Sequence, residues 1–322
     1  MRLHLPFALT GPRDIRGNER TTRSYRAISP HAPQPISDLM ARIIVSAATS
    51  LDGMEAVIVR QPSAHNQLDV GVFDAAPAAH RSLLLISHEA IVPIPPGAAI
   101  GPSTAGMDMR WDAQAMAPIA IMPLVLLAQA RPPVARIPVS DLMQPRTRAE
   151  HGLQTVRIGS AGGRSASRMA AMLLAHASSL QQLHLDYNGG QSALNALVAS
   201  EIDFLFAALP LVLPYVDAGR LRALGLASTE RFPLLPQLPT LAEQGAPELV
   251  WEGWFGLYAS RAISPRVREP LLGRVAESLA SGPIRSVLLQ QGLQPADPDA
   301  ARFAARIAAD RDRGARLLSG VD

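Results

Sequence analysis

The stretch that most constrains this chain runs from Val156 to Leu226. It opens Val156-Arg157-Ile158-Gly159-Ser160-Ala161-Gly162-Gly163-Arg164-Ser165-Ala166-Ser167. A short apolar strand feeds a Gly/Ser loop, and the loop feeds a run with helical spacing at Met169, Leu173 and Leu174. That order places backbone N–H groups and hydroxyls at the start of a helix, a ready place for an anion. Asp186-Tyr187-Asn188-Gly189-Gly190-Gln191-Ser192 repeats the pattern, with Ser192 as the expected cap of a helix through Leu194, Leu197 and Val198. Glycines at 159, 162 and 163 do not fit the G-x-G-x-x-G spacing of a dinucleotide site. Two such loops in one unit point to a small anion held mainly by main chain, with the rest of the chain supplying the opposite wall.

Missing residue types remove whole classes of chemistry. The basic residues number 30 and all are Arg; the chain has no Lys and no Cys. A Schiff-base enzyme, a P-loop lysine, a thiol nucleophile and a thiolate metal site are therefore excluded. Net charge is +3, with Arg spread among Asp and Glu. Neither a basic stripe nor stacking aromatics mark a nucleic-acid surface, so no nucleic-acid partner is expected. His88-Glu89 has the look of a metal or acid–base pair, but no second ligand set stands at a recognised spacing. No G-x-S-x-G elbow or H-E-x-x-H pair occurs, so the chain is read as a non-enzyme with no cofactor.

At 322 residues the chain is long for one domain. Residues 1–26 read as a leader or a disordered segment, at best a degenerate signal peptide. A strand near Ala27-Ile28-Ser29, a proline turn at 31–35 and a helix over Leu39, Ile43, Ile44 and Ala47 follow. Ser37 or Asp38 caps that helix. Apolar strands at 56–59 and 81–87 alternate with helical or loop segments, the pattern of a parallel α/β sheet. The apolar run Ala113–Ala130, broken by Pro118 and Pro123, reads as extended chain crossing from one lobe to the other and not as a bilayer helix. Lobe one is expected to comprise 27–119 plus 228–322, and lobe two 120–227. The charges of the last helix, Arg311 and Arg313 among them, read as a solvated face.

Four stretches carry a resemblance to a known family. They are Ser29-Pro30-His31-Ala32-Pro33-Gln34-Pro35-Ile36-Ser37-Asp38, the loop Gly159–Ser165, Tyr187-Asn188-Gly189-Gly190-Gln191-Ser192-Ala193-Leu194, and Pro214–Leu224 with Leu234–Thr240; Trp254-Phe255-Gly256-Leu257 fits as well. From about Ile28 onward the chain resembles the Bug extracytoplasmic solute receptors of tripartite tricarboxylate transporters. The resemblance implies an α/β fold of two lobes, a type II-like Venus flytrap with a ligand cleft between them. It implies capture of a small carboxylated metabolite (a di- or tricarboxylate, an amino acid or an aromatic acid), closure around it, and delivery to membrane permease subunits by a periplasmic monomer. By this resemblance Pro33, Gln34, Ser37, Asp38, Ser87 and His88 line one wall. Ser160, Gly162, Gly163, Arg164, Ser165, Tyr187, Gly189 and Gly190 line the other. On the residues alone, Asp38 reads first as a helix cap, and Tyr187 either donates to a ligand or packs. Gln34-Pro35 stands where the family has Gly-Gly, which removes an N–H and narrows the approach. Arg164 stands where a small residue is usual and offers a charge to a carboxylate. The altered loop motivates an alternative, a divergent member that senses or binds a partner without transport.

Overall fold

The computed structural model describes residues 25–29, 35–49, 56–60, 81–88, 113–130, 134, 137–153, 155–163, 165–179, 181–260 and 263–319. The elements of the first sheet come largely from the early chain: β1 (Tyr25–Ser29), α1 (Pro35–Thr49), β2 (Ala56–Arg60), β3 (Arg81–Ser87) and β4 (Ala113–Met122). Pro123 then interrupts the extended chain, and β5 (Leu124–Gln129) enters a second sheet. Short helices α2 (Val139–Met143) and α3 (Pro145–Glu150) lead to β6 (Thr155–Ser160), α4 (Ala166–Ser178), β7 (Gln181–Asp186) and α5 (Gly190–Val198). β8 (Phe204–Ala208), α6 (Leu209–Asp217) and β9 (Leu221–Leu226) complete that sheet. The chain returns to the first sheet in β10 (Gly253–Ser260) and ends with α7 (Pro265–Ala280), α8 (Gly282–Gln290), β11 (Gln294–Pro295) and α9 (Ala300–Ser319). Among the described residues no helix is long and apolar enough to cross a membrane.

The first sheet has the order β11-β4-β10-β3-β1-β2 and the second β7-β6-β8-β5-β9. β1 runs parallel to β2 and β3, and β6 parallel to β7 and β8. The parallel pairing expected from the apolar strands forms within β1–β3 and β6–β8, but both sheets are mixed. β10 is antiparallel to β3 and β4, and β5 is antiparallel to β8 and β9. The crossings are the reason. β4 and β5 are separated only by Pro123, so β5 enters the second sheet from the edge where the neighbouring strands end. β10 returns the same way in reverse.

Apolar residues on both strand faces explain why each sheet is covered on two sides. In β5 and β8, Leu124, Leu126, Phe204 and Phe206 face the core under α4, while Val125, Leu127, Leu205 and Ala207 face the core under α5 and α6. In the first sheet, Leu83, Leu85, Ile119 and Leu257 pack with Met40 and Ile44 of α1 and Leu271 and Val275 of α7. Leu241, Ala246, Leu249 and Trp251 join the core of the second sheet. The return crossing is therefore Trp251–Gly253, beside the outgoing one: Gly253 pairs with Met122, Trp251 N–H donates to Ala227 O at 3.0 Å, and Ala227 N–H donates to Leu124 O at 2.9 Å.

Helix α9 lies along both units. Phe303 stacks edge-on against Trp254 and Tyr258 of β10, with ring centroids 5.0 and 5.9 Å apart, whereas Leu317 is buried in the second sheet's core. A Cβ on Gly256 would stand 2.3 Å from Phe303 Cζ, so the ring occupies the space this glycine leaves open. Gly256→Val is expected to destabilise the protein by about 1–3 kcal/mol through overpacking. Thermal denaturation followed by circular dichroism measures it, and Gly256→Val combined with Phe303→Leu should recover part of the loss. An unchanged melting temperature for the single variant would contradict the packing of α9 on β10.

Candidate functional site

Strand direction gathers the sequence-predicted residues at one place. The carboxyl ends of β1, β2 and β3 lie at the same edge of the first sheet as Met122, the end of β4. The carboxyl ends of β6, β7 and β8 lie at the same edge of the second sheet as Leu124, the start of β5; Leu124 pairs with Ala208. Both edges thus border the crossing at Pro123. Open α/β sheets bind ligands at the carboxyl ends of their strands.

On the second edge the loop after β6 is tightly specified. Gly162 and Gly163 both take left-handed backbone angles, φ 79° and 56°. A Cβ on Gly162 would lie 2.6 Å from Tyr187 O, so only glycine fits the close approach of the two loops. Ser165 is the N-cap of α4: its Oγ accepts from Arg168 N–H at 3.2 Å, and its own N–H donates to Gly162 O at 3.1 Å. Ser167 Oγ accepts from Ala161 N–H at 3.3 Å and donates to Phe206 O at 2.5 Å, tying the loop to β8. In the second loop, Gly189 N–H donates to Ala161 O at 3.3 Å and to Tyr187 O at 2.9 Å, and Tyr187 N–H donates to Ser160 O at 3.0 Å. Gly189, φ 97°, is the N-cap of α5. The expected cap, Ser192, lies inside the first turn, because a left-handed turn at Gly189 starts the helix earlier. The helices α4 and α5 therefore begin side by side, their first turns at the crossing edge, where the dipole and the leading amides favour negative charge.

The hydroxyl of Ser160 does not face outward. Ser160 is fully buried; its Oγ donates to Asp186 Oδ1 at 2.5 Å and accepts from Gly162 N–H at 3.1 Å. His184 Nε2 lies 3.0 Å from both Ser160 Oγ and Asp186 Oδ1, and Arg168 pairs with Asp186 Oδ2. Burial opposes ionisation of Asp186, but the hydrogen bonds from His184 and Ser160 and the charge of Arg168 outweigh it. The carboxyl is held below the ordinary range. This cluster was not foreseen from the sequence; the acidic residue immediately before Tyr187 was its visible sign. The Tyr187 ring lies over Gly159 and Ile202, where a glycine Cβ would meet Ile202 Cδ1 at 2.3 Å and Tyr187 Cε2 at 3.4 Å. Burial, with Glu201 adding to it and Arg157 opposing it, raises the phenol's pKa.

On the first edge, Ser87 ends β3 opposite Phe255, and His88 follows it; both are buried, and the His88 ring stands 6.4 Å from Trp254. Asp38 is half-buried in the first turn of α1, and Ser37 precedes it in the same turn. Pro33, Gln34 and Arg164 lie outside the described residues, as do Glu89 and residues 61–80. Of the predicted set, then, Asp38, Ser87 and His88 stand at one edge, and Gly162, Gly163, Ser165, Gly189 and Gly190 at the other. Ser160 and Tyr187 sit beneath the loops as supports.

Known proteins share this fold. The model of the tripartite tricarboxylate transporter family receptor matches residues 102–321. The chain belongs to that family of solute receptors. It is 30% identical over 177 residues to the UPF0065 protein in the tcbD-tcbE intergenic region of Pseudomonas sp. (strain P51), a match spanning 53% of either protein. It is 25% identical over 282 residues to protein BugT of Bordetella pertussis, covering 87% of this chain and 84% of that one. Among solved structures, Rpa4515 of R. palustris with adipate superposes with a TM-score of 0.74 at 21% identity, covering 92% of this chain and 97% of the other. MatC of Rhodopseudomonas palustris with bound malate gives 0.68 at 22% identity, covering 92% and 99%. These likenesses establish the two-lobe, periplasmic-binding-protein fold of this receptor.

Because Asp186 titrates below its unfolded value, its contribution to stability is complete above an unfolded carboxyl value of about 4 and is lost as pH falls through the depressed value. The variant Asp186→Asn is expected to lose thermal stability less steeply on acidification than the parent. Melting temperatures across the acid range measure this, and parallel acid limbs for the two proteins would contradict it.

Proposed function

We propose that this receptor captures a small carboxylated solute between its two sheet edges and presents it, closed around the ligand, to the membrane permease subunits of a tripartite transporter. It acts in the periplasm as a monomer and turns over no substrate. The observation that carries this reading is the convergence of the α4 and α5 amino termini at the crossing edge, with two consecutive left-handed glycines in the loop between strand and helix. A carboxylate fits that setting because amide N–H groups and the helix dipoles stabilise negative charge without a lysine. Adipate and malate in the two solved relatives support a dicarboxylate as the ligand class. Gly163 and Gly190 contact one carboxylate through main-chain N–H groups and Ser165 through its hydroxyl, with Gly162 and Gly189 shaping the loops and Arg164 adding charge. Asp38, Ser87 and His88, with Pro33, Gln34 and Ser37, form the opposing wall. The lobes divide at Pro123 and at Trp251–Gly253, so that 228–251 moves with the second lobe.

A thermal-shift screen against four- to six-carbon dicarboxylates, citrate and amino acids tests the function. At a ligand concentration of about a hundred times Kd, stabilisation of roughly 2.7 kcal/mol is expected for the right carboxylate. Gly162→Val, which forces a side chain against Tyr187 O, should abolish that shift while α4 and β6 stay folded by circular dichroism. Absence of any carboxylate-dependent stabilisation of the parent protein would refute the reading.

A further inference from the structure

A half-buried ionic cluster sits where the return crossing meets the last helix. Within residues 251–254, three side chains grip different bodies. Trp251 is buried in the core of the second sheet, under Arg313, whose guanidinium lies 5.3 Å from the ring centroid. Trp254 is buried in the first unit, and its Nε1 donates to Asp310 Oδ2 at 2.9 Å. Between them, Glu252 accepts from Arg306 Nη2 at 3.1 Å and from the backbone N–H of Thr229. Arg306 also pairs with Asp310, its Nε 3.5 Å from Oδ2. The side chain of Glu252 is only 10% exposed. Burial raises its pKa, with Asp310 adding to the rise, while Arg306 and the Thr229 N–H oppose it. An ionised Glu252 therefore depends on staying in contact with Arg306.

Helix α9 carries the other half of this cluster and is fastened at both ends. Phe303 holds it to β10 and Leu317 to the second core, and Arg313 donates to Val250 O and Glu248 O at 2.7 Å each. Its 20 residues span about 30 Å, enough to run past the crossing from one unit to the other. Any rotation of the lobes about Met122–Leu124 and Trp251–Gly253 must change how α9 lies against residue 252. The Arg306 and Asp310 contacts fall between the two anchors, at the position where that change is concentrated.

We propose that Glu252, Arg306, Asp310 and Trp254 form a hinge lock, through which the C-terminal helix sets the angle between the lobes. Glu252 and Arg306 are positioning residues of closure. Trp254 of the same cluster stands edge-on to His88, with 6.4 Å between ring centroids. The proposal rests on the two-lobe fold and not on which solute is bound.

The chain has no cysteine, so paired cysteine labels report without background. Ala199→Cys at the end of α5 and Ser286→Cys in α8 are both exposed and lie in the two different units. Nitroxide labels at these positions, read by double electron–electron resonance on ligand-free protein, give the distribution of distances between the lobes. Glu252→Gln, Arg306→Met and Asp310→Asn are each expected to move the open-to-closed ratio on the order of tenfold, towards the low end of typical couplings between sites. The distribution should broaden or shift, while far-UV circular dichroism and a cooperative melt remain. Arg306→Lys should restore part of the parent distribution. Folded variants that keep the parent distribution would overturn the proposal. So would loss of the fold in all three, which would assign the cluster a purely structural role. Because no ligand enters the measurement, failure here leaves the carboxylate reading to be judged by its own screen.

Discussion

Everything in this receptor depends on two extended crossings that run side by side. Pro123 carries the chain from the first sheet to the second, and Trp251–Gly253 carries it back, with Gly253 paired to Met122. A Cβ on Gly253 would lie 2.6 Å from Met122 Cε and 3.4 Å from its Cβ, so the close approach uses the absence of a side chain. The crossings also determine the mixed character of both sheets, because each inserts a strand running against its neighbours. The same connectivity brings the carboxyl ends of eight strands, β1 to β4 and β6 to β9, to one place. A cleft there is a consequence of topology before any ligand-contacting residue is chosen.

The loops at that cleft divide their labour between support and exposure. Ser160, Ser167 and Asp186 hold the backbone from below, through hydrogen bonds to Gly162, Ala161 and each other. Their hydroxyl and carboxylate groups are used up in doing so. What remains at the loops is main chain, oriented by left-handed glycines and by the first turns of two helices. Arg168 pairs with Asp186, which offsets the charge of the carboxylate that braces the loop.

Much of this was legible in the sequence. Apolar strand, Gly/Ser loop and helical run follow one another at 156–174, and the pattern at 186–198 repeats it, since both units are built by local chemistry. Pro118 and Pro123 marked Ala113–Ala130 as extended crossing chain, and β4 and β5 are that chain. Pairings over long sequence separations were not legible. The antiparallel return of β10, the packing of Trp251 in the core of the second sheet, and the burial of Ser160 against Asp186 all depend on partners tens of residues away. Arg313 illustrates the same point. Helical periodicity puts it on a charged face, yet it donates to Val250 and Glu248 carbonyls, which only the folded crossing brings near. The expectations placed on Pro33, Gln34 and Arg164 lie outside the described residues.

The proposed grip on a carboxylate lies where α4 and α5 begin. A crystal structure of the receptor with the carboxylate that stabilises it most tests this directly. Expected is one carboxyl group within hydrogen-bonding distance of amides among residues 163–167 and 190–192, with Asp38, Ser87 and His88 closing over its far end. A ligand bound away from the Pro123 crossing, or one whose carboxylates touch none of those amides, would contradict it.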